Sequence, residues 1–288
     1  MSIDGIWVPI VTPFRNGQID FPALKRLAAE LIEAGISGLI ACGTTGEPAT
    51  LSDEEQLAVL DALLAVVPAG KVAMGLSDNN QAAAVERVKR ICERPVAGVL
   101  VPATYYTRPS HAGVIAYFRA IADASSAPII VYNIPYRTGV TMELATLRAI
   151  AAHERVTALK DCGGDPGLTM QLIADGKLAV MAGEDQLALS TLCLGGAGAI
   201  AAVAHIRPDL FARLPALVRE GKLDEARRIF YRLLPMIQLA FCEPNPGPIK
   251  AALAMLGKVS DELREPMLAA TPAVREAWKP ILQDLDLL

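Results

Sequence analysis

Short, nearly continuous apolar runs alternate along this chain with longer stretches in which apolar residues recur every three or four positions. The runs are GIWVPI (5–10), SGLIAC (37–42), KVAMG (71–75), AGVLVP (97–102), PIIVYN (128–133), VTALKD (156–161), LAVMAG (178–183) and GAIAAV (198–203). Their shortness and their bounding by Gly, Pro and Asn predict strands buried on both faces. Between them, segments such as FPALKRLAAELIEAG, SDEEQLAVLDALLAVV and HAGVIAYFRAIADAS carry the amphipathic period of a helix. Asp or Ser tends to stand at their N-terminal ends, where a side-chain oxygen can satisfy free backbone N–H groups. Strand–helix alternation predicts an α/β fold with a parallel sheet covered by helices. Eight such units before about residue 220 fit a (β/α)8 barrel over residues 1–221. A doubly wound sheet is the competitor, but no G-x-G-x-x-G loop follows the first strand. Residues 222–288 continue with LDEARRIFYRLLPMIQLAF, a break at CEPNPGP and further helical pattern. They predict a C-terminal helical extension packed on the barrel or on a neighbouring subunit.

Composition narrows the function classes. The 288 residues are 52% hydrophobic and 20% charged, enough for a large core. A net charge of −4 offers no basic footprint for nucleic acid. No apolar run is long enough to read as a membrane span, and the N-terminus lacks a signal-peptide pattern. A soluble, cytoplasmic protein is therefore expected. The five cysteines are widely spaced with no C-x-x-C, and the three histidines lie far apart, so neither a disulfide framework nor a metal site is expected. Most of the cysteines sit among small or apolar residues, as buried structural thiols do.

The chemistry concentrates where strands should end. In a (β/α)8 barrel the active site lies at the C-terminal ends of the strands. That rule gathers CGTTGE (42–47), ATYYTRPS (103–110), YNIPYRTG (132–139) and KDCGG (160–164) at one mouth. Lys160 ends an apolar run. In a partly dry pocket its ammonium would lose a proton more easily, and a neutral amine can form a Schiff base with a carbonyl. The alternative is a lysine paired with Asp161 or another carboxylate, and position alone leaves both open. The small residues of GTTGE would suit a carboxylate held by amides and hydroxyls, or the loop merely caps the helix starting near Ser52, with Glu47 in the cap. Tyr105, Tyr106 and Tyr132 offer phenols for proton relay or aromatic packing. Arg137 offers a planar fork for a carboxylate or a surface ion pair. GGAGAI (195–200) precedes a strand rather than opening a helix and reads as a tight turn.

Taken together, GTTGE, YYTRPS, YNIPYRTG, LKD, GGAGAI and EPNPGPIK resemble the dihydrodipicolinate synthase family, in the superfamily that includes N-acetylneuraminate lyase, across essentially the whole chain. The resemblance implies a (β/α)8 TIM barrel and a homotetramer built as a dimer of dimers. It implies that Lys160 forms the Schiff base with pyruvate and that Tyr132 moves protons in a relay with Thr44 and Tyr106. In the family, the tyrosine at the Tyr106 position reaches a neighbouring subunit's site. It further implies that Thr45 binds the pyruvate carboxylate, that the Ile200 carbonyl faces pyruvate, and that Arg137 holds aspartate semialdehyde. No cofactor is expected, because the iminium is itself the electron sink. The chain departs from the family pattern in ATYY, in Asp161, in GLSDNN and in Tyr136, a bulky residue expected to narrow the pocket beside Arg137. Two other readings stand: an aldolase, dehydratase or deaminase of 2-keto-3-deoxy sugar acids or related compounds using the same lysine, and a non-catalytic ligand-binding barrel. The intact set Lys160, Tyr132, Tyr106 and Thr44 argues against the last.

Overall fold

The computed structural model describes residues 3–288. Eight parallel strands form, each where an apolar run predicts one: β1 (Gly5–Pro9), β2 (Gly38–Ala41), β3 (Val72–Gly75), β4 (Val99–Pro102), β5 (Ile129–Asn133), β6 (Val156–Asp161), β7 (Ala179–Ala182) and β8 (Gly198–Ile200). They close into a barrel in the order β1-β8-β7-β6-β5-β4-β3-β2. Strands so enclosed are buried on both faces, and every residue of β2, β3 and β5 is buried. The last apolar run extends beyond its strand, because the chain leaves β8 after Ile200 and forms a 3-10 turn at Val203–His205. One element has no counterpart in the pattern. Phe14–Arg15 and Gln18–Ile19 form a small antiparallel hairpin around Asn16 and Gly17, both at positive φ.

The chain divides into two compact units, one made of the residues up to Gly5 with Ala69–Ile200, the other of Ile6–Pro68 with Ala201–Leu288. In the first unit, the helix His111–Ala124 is capped by Ser110 and the helix Pro166–Asp175 by Asp165. The register between β5 and β6 shifts at Ile129/Ile130, so that Ile129 faces Val156 and Ile130 faces Ala158. This irregularity absorbs Thr157. A one-residue change of register moves every later side chain to the opposite face, so it fixes which face Lys160 takes.

In the second unit, Asp20 caps the helix Phe21–Glu33, and Ser52 with Glu55 forms a reciprocal capping box on the helix Asp53–Leu64. The C-terminal pattern becomes three helices, Leu223–Ala240, Gly247–Met255 and Pro272–Asp284, the last capped by Thr271. Among the described residues no helix is long and apolar enough to cross a membrane, and no cluster of His, Cys, Asp or Glu has metal-binding geometry. None of the five cysteines is joined in a disulfide. Cys42 and Cys162 are buried and Cys92 is half-buried, but Cys193 and Cys242 are exposed, so fewer of the thiols are buried than their apolar surroundings in sequence predict.

Candidate active site

In the first unit the register places Tyr132 directly beside Lys160 and Asn133 beside Asp161. Alternation along a strand then divides these four residues between two faces. Asp161 is committed on its own face. Its Oδ1 accepts from Asn133 Nδ2 and from the Gly163 amide, both at 2.9 Å, and its Oδ2 accepts from Thr169 Oγ1 at 2.7 Å. The pairing of Lys160 with its sequence neighbour is therefore excluded. Lys160 is 6% exposed, and its Nζ stands 4.4 Å from the centroid of the Tyr132 ring. Burial pulls the amine below the ordinary lysine range, and the Arg137 guanidinium adds to that. The negative charges of Asp185 and Glu184 oppose the shift without reversing it. Cys162 lies nearby, but burial pushes its thiol up, so it is a neutral neighbour.

Gly183, for which the sequence analysis assigns no role, touches the lysine stem. A Cβ there would overlap Cys162 Sγ and crowd Lys160 Cγ at 2.9 Å. Only a glycine lets the chain leaving β7 pass this close to the lysine stem.

Of the three tyrosines, only Tyr132 is buried. Tyr106 is 90% exposed with φ +68°, so aromatic packing within this chain does not account for it. Tyr105 is also exposed, and its amide donates to Asn79 Oδ1 at 2.9 Å. Arg137 sits on the short helix Pro135–Thr138, which ends at Gly139 with φ +72°. Among the described residues it makes no ion pair of the kind the sequence left open. Its guanidinium carbon lies 5.6 Å from the Tyr136 ring centroid, and the Tyr136 hydroxyl donates to Glu184 Oε1 at 3.1 Å. Ile200 is the last residue of β8 and is fully buried.

The second unit holds Thr44 and Thr45. GTTGE folds into the 3-10 turn Thr44–Gly46, joined to a second, Pro48–Thr50, through Glu47 at φ +56°. Thr45 is 3% exposed, and its Oγ1 accepts from Asn245 Nδ2 at 3.0 Å, which leaves the hydroxyl proton free to be donated elsewhere. The Thr12 hydroxyl donates to the Gly46 carbonyl at 2.7 Å. Glu47 does not serve the cap of the next helix, because Glu55 completes that box. Instead its Oε1 pairs with Lys250 Nζ at 2.5 Å, and both residues are buried. Lys250 also donates to the Glu262 carbonyl at 2.8 Å and stands 4.3 Å from the Phe14 ring centroid. Burial pushes the Glu47 carboxyl up and the Lys250 amine down, while each charge counteracts the shift of the other. Arg264 closes the cluster, with paired bonds to Glu55 at 2.7 and 2.8 Å and one to the Thr50 carbonyl at 2.9 Å. These contacts hold the threonine loop by charge from the C-terminal extension, Lys250 from a helix and Arg264 from the segment after it. The lysine at the end of EPNPGPIK, next to the apolar AALAM, was the available signal.

A buried amine whose ammonium form is disfavoured, beside a phenol, is equipped to condense with a carbonyl and to move the protons that the condensation needs. Comparison with known proteins agrees with that chemistry. Residues 2–285 match the sequence pattern of the Dihydrodipicolinate synthetase family. The 4-hydroxy-tetrahydrodipicolinate synthase of Syntrophobacter fumaroxidans is 39% identical, with 99% of each chain covered. That of Leptospira biflexa is 35% identical over 98% of this chain and 97% of its own. The crystal structure of dihydrodipicolinate synthase from Thermotoga maritima superposes with a TM-score of 0.97 at 31% identity, covering 100% of both chains.

Proposed function

The chain belongs to the dihydrodipicolinate synthetase family, and on that footing we propose that it is a lyase condensing pyruvate with aspartate semialdehyde to 4-hydroxy-tetrahydrodipicolinate. The observation that carries the reading is Lys160, buried at the end of β6 with its ammonium disfavoured and its neighbouring carboxylate bound elsewhere. Its neutral amine attacks the pyruvate ketone, and loss of water leaves an iminium. The iminium accepts electrons as a methyl proton departs, which gives an enamine. The enamine carbon adds to the aldehyde of aspartate semialdehyde, whose oxygen takes up a proton. The substrate's own amine then attacks the imine carbon, closing the ring and releasing Lys160.

In this reading Tyr132 gives and takes the protons at the carbinolamine oxygen, with Thr44 and Tyr106 as its relay. Thr45 and the Ile200 carbonyl receive pyruvate, and Arg137 binds the carboxylate of the second substrate. These roles are supported by the matching family motifs. Tyr106 points to an oligomer, because a phenol 90% exposed on its own chain is suited to act in a neighbour's site. A homotetramer built from two tight dimers, working in the cytoplasm, fits that pattern. The test is an assay of purified protein with pyruvate and aspartate semialdehyde beside a panel of 2-keto-3-deoxy sugar acids. Turnover of the semialdehyde pair upholds the reading, and dehydration or cleavage of a sugar acid in its place overturns it.

A further inference from the structure

Above Lys160 lies a feature that the lysine chemistry does not use. β5, β6 and β7 run side by side, with Tyr132 beside Lys160 and Lys160 beside Met181. Tyr136 follows β5 and Glu184 follows β7, so the hydrogen bond between them reaches across the end of β6. It crosses on the lysine's side. Alternation puts Lys160 and Cys162 on one face, Gly183 lies against both, and Glu184 acts on both Lys160 and the Cys162 thiol. The Arg137 guanidinium rests against the Tyr136 ring, which limits the directions it can take. At 3.1 Å the phenol–carboxylate bond is long for its type, so it can open to admit a substrate.

We propose that Tyr136 and Glu184 form a bar across the mouth that sets the length of the acceptor aldehyde, by holding Arg137 at one distance from the carbon bound to Lys160. The acceptors selected are short aldehydes carrying a carboxylate at the far end. A longer chain would have to displace the ring or leave its carboxylate without the guanidinium. A tyrosine phenol ionises only well above the physiological range, so Tyr136 remains a neutral donor to Glu184 there. Tyr136 is thus a specificity-determining residue, and Glu184 positions it.

This inference rests on the pyruvate-dependent reading, and its experiment separates the two. The ratio of kcat/KM for aspartate semialdehyde to that for a longer carboxylate aldehyde, 6-oxohexanoate, is measured by pyruvate consumption in the wild type, Tyr136→Ser and Tyr136→Phe. Borohydride trapping of pyruvate on Lys160 checks that each variant retains its site. Tyr136→Ser should lower the ratio by at least ~10-fold, the scale on which a pocket contact discriminates. Tyr136→Phe keeps the ring under Arg137 and should stay closer to the wild type. An unchanged ratio in Tyr136→Ser, with trapping intact, overturns the bar. A wild type that traps pyruvate but consumes neither aldehyde overturns the proposed reaction instead.

Discussion

Replacing Lys250 with methionine should expose how much the threonine loop depends on a buried charge. The methionine keeps most of the side-chain volume but removes the ion pair to Glu47 at 2.5 Å, the hydrogen bond to the Glu262 carbonyl at 2.8 Å and the contact with the Phe14 ring at 4.3 Å. Glu47 remains 5% exposed, with the Arg264 amide at 3.3 Å as a weak partner. Removing one partner of a buried pair typically costs about 3–5 kcal/mol, because the other charge is stranded. At ~2 °C per kcal/mol for a chain of this size, Tm should fall by roughly 6–10 °C. The pH dependence carries the cause. Burial already raises Glu47, and without the ammonium it rises further. A carboxyl raised in the folded state binds more protons there than in the unfolded chain, so its contribution is complete below the unfolded pKa and is lost as pH increases. Lys250→Met should therefore recover part of its lost Tm between pH 8 and pH 5. Glu47→Gln in the same background should relieve the stranded charge, so the double variant should be destabilised by less than the sum of the singles. Thermal unfolding followed by circular dichroism, repeated across pH, measures all three. A single variant within about 2 °C of wild type, or strictly additive singles, would refute the reasoning.

Three further outcomes follow from the same structure. Tyr132→Phe removes only the hydroxyl of the ring that stands beside Lys160, so steady-state turnover should fall roughly 10²–10⁴-fold while Tm holds, and a near-normal rate would reduce Tyr132 to packing. Arg137→Ala should raise the KM for aspartate semialdehyde by roughly 10–100-fold, from about 1.5–3 kcal/mol for a charged hydrogen bond, without lowering pyruvate trapping. His205 is buried, accepts from the Val11 amide at 3.1 Å and is lowered to about 4 by desolvation. The unfolded chain therefore takes up its proton first, and about 3 kcal/mol of stability, complete above pH 6.5, is lost as pH falls to 4. His205→Gln should flatten that part of the Tm–pH curve relative to wild type, and parallel curves would sink the assignment.

The barrel was legible because strands enclosed on both faces leave runs that no amphipathic helix would contain. Their ends were less so. GAIAAV is equally apolar beyond Ile200, and only the turn at Val203–His205, a matter of tertiary packing, ends the strand. Lys160 was legible for the opposite reason, since a charge closing an apolar run contradicts its surroundings. The residues supporting the site were not. Glu47 looks like a helix cap because local rules place carboxylates there, whereas its partner Lys250 arrives from the far end of the chain. Gly183 could be read as a turn residue, and its contact with the lysine stem depends on the register of β6 and β7. The hairpin around Asn16 and Gly17 has two residues per strand, too few to show alternation.

The central claim is that Lys160 is the amine that captures the ketone, and reductive trapping tests it most directly. Protein incubated with pyruvate and borohydride is digested, and its lysines are mapped by mass spectrometry. The account predicts one pyruvate-derived adduct per chain, on Lys160, with neither adduct nor turnover in Lys160→Ala. An adduct on another lysine, or turnover that survives Lys160→Ala, would contradict it.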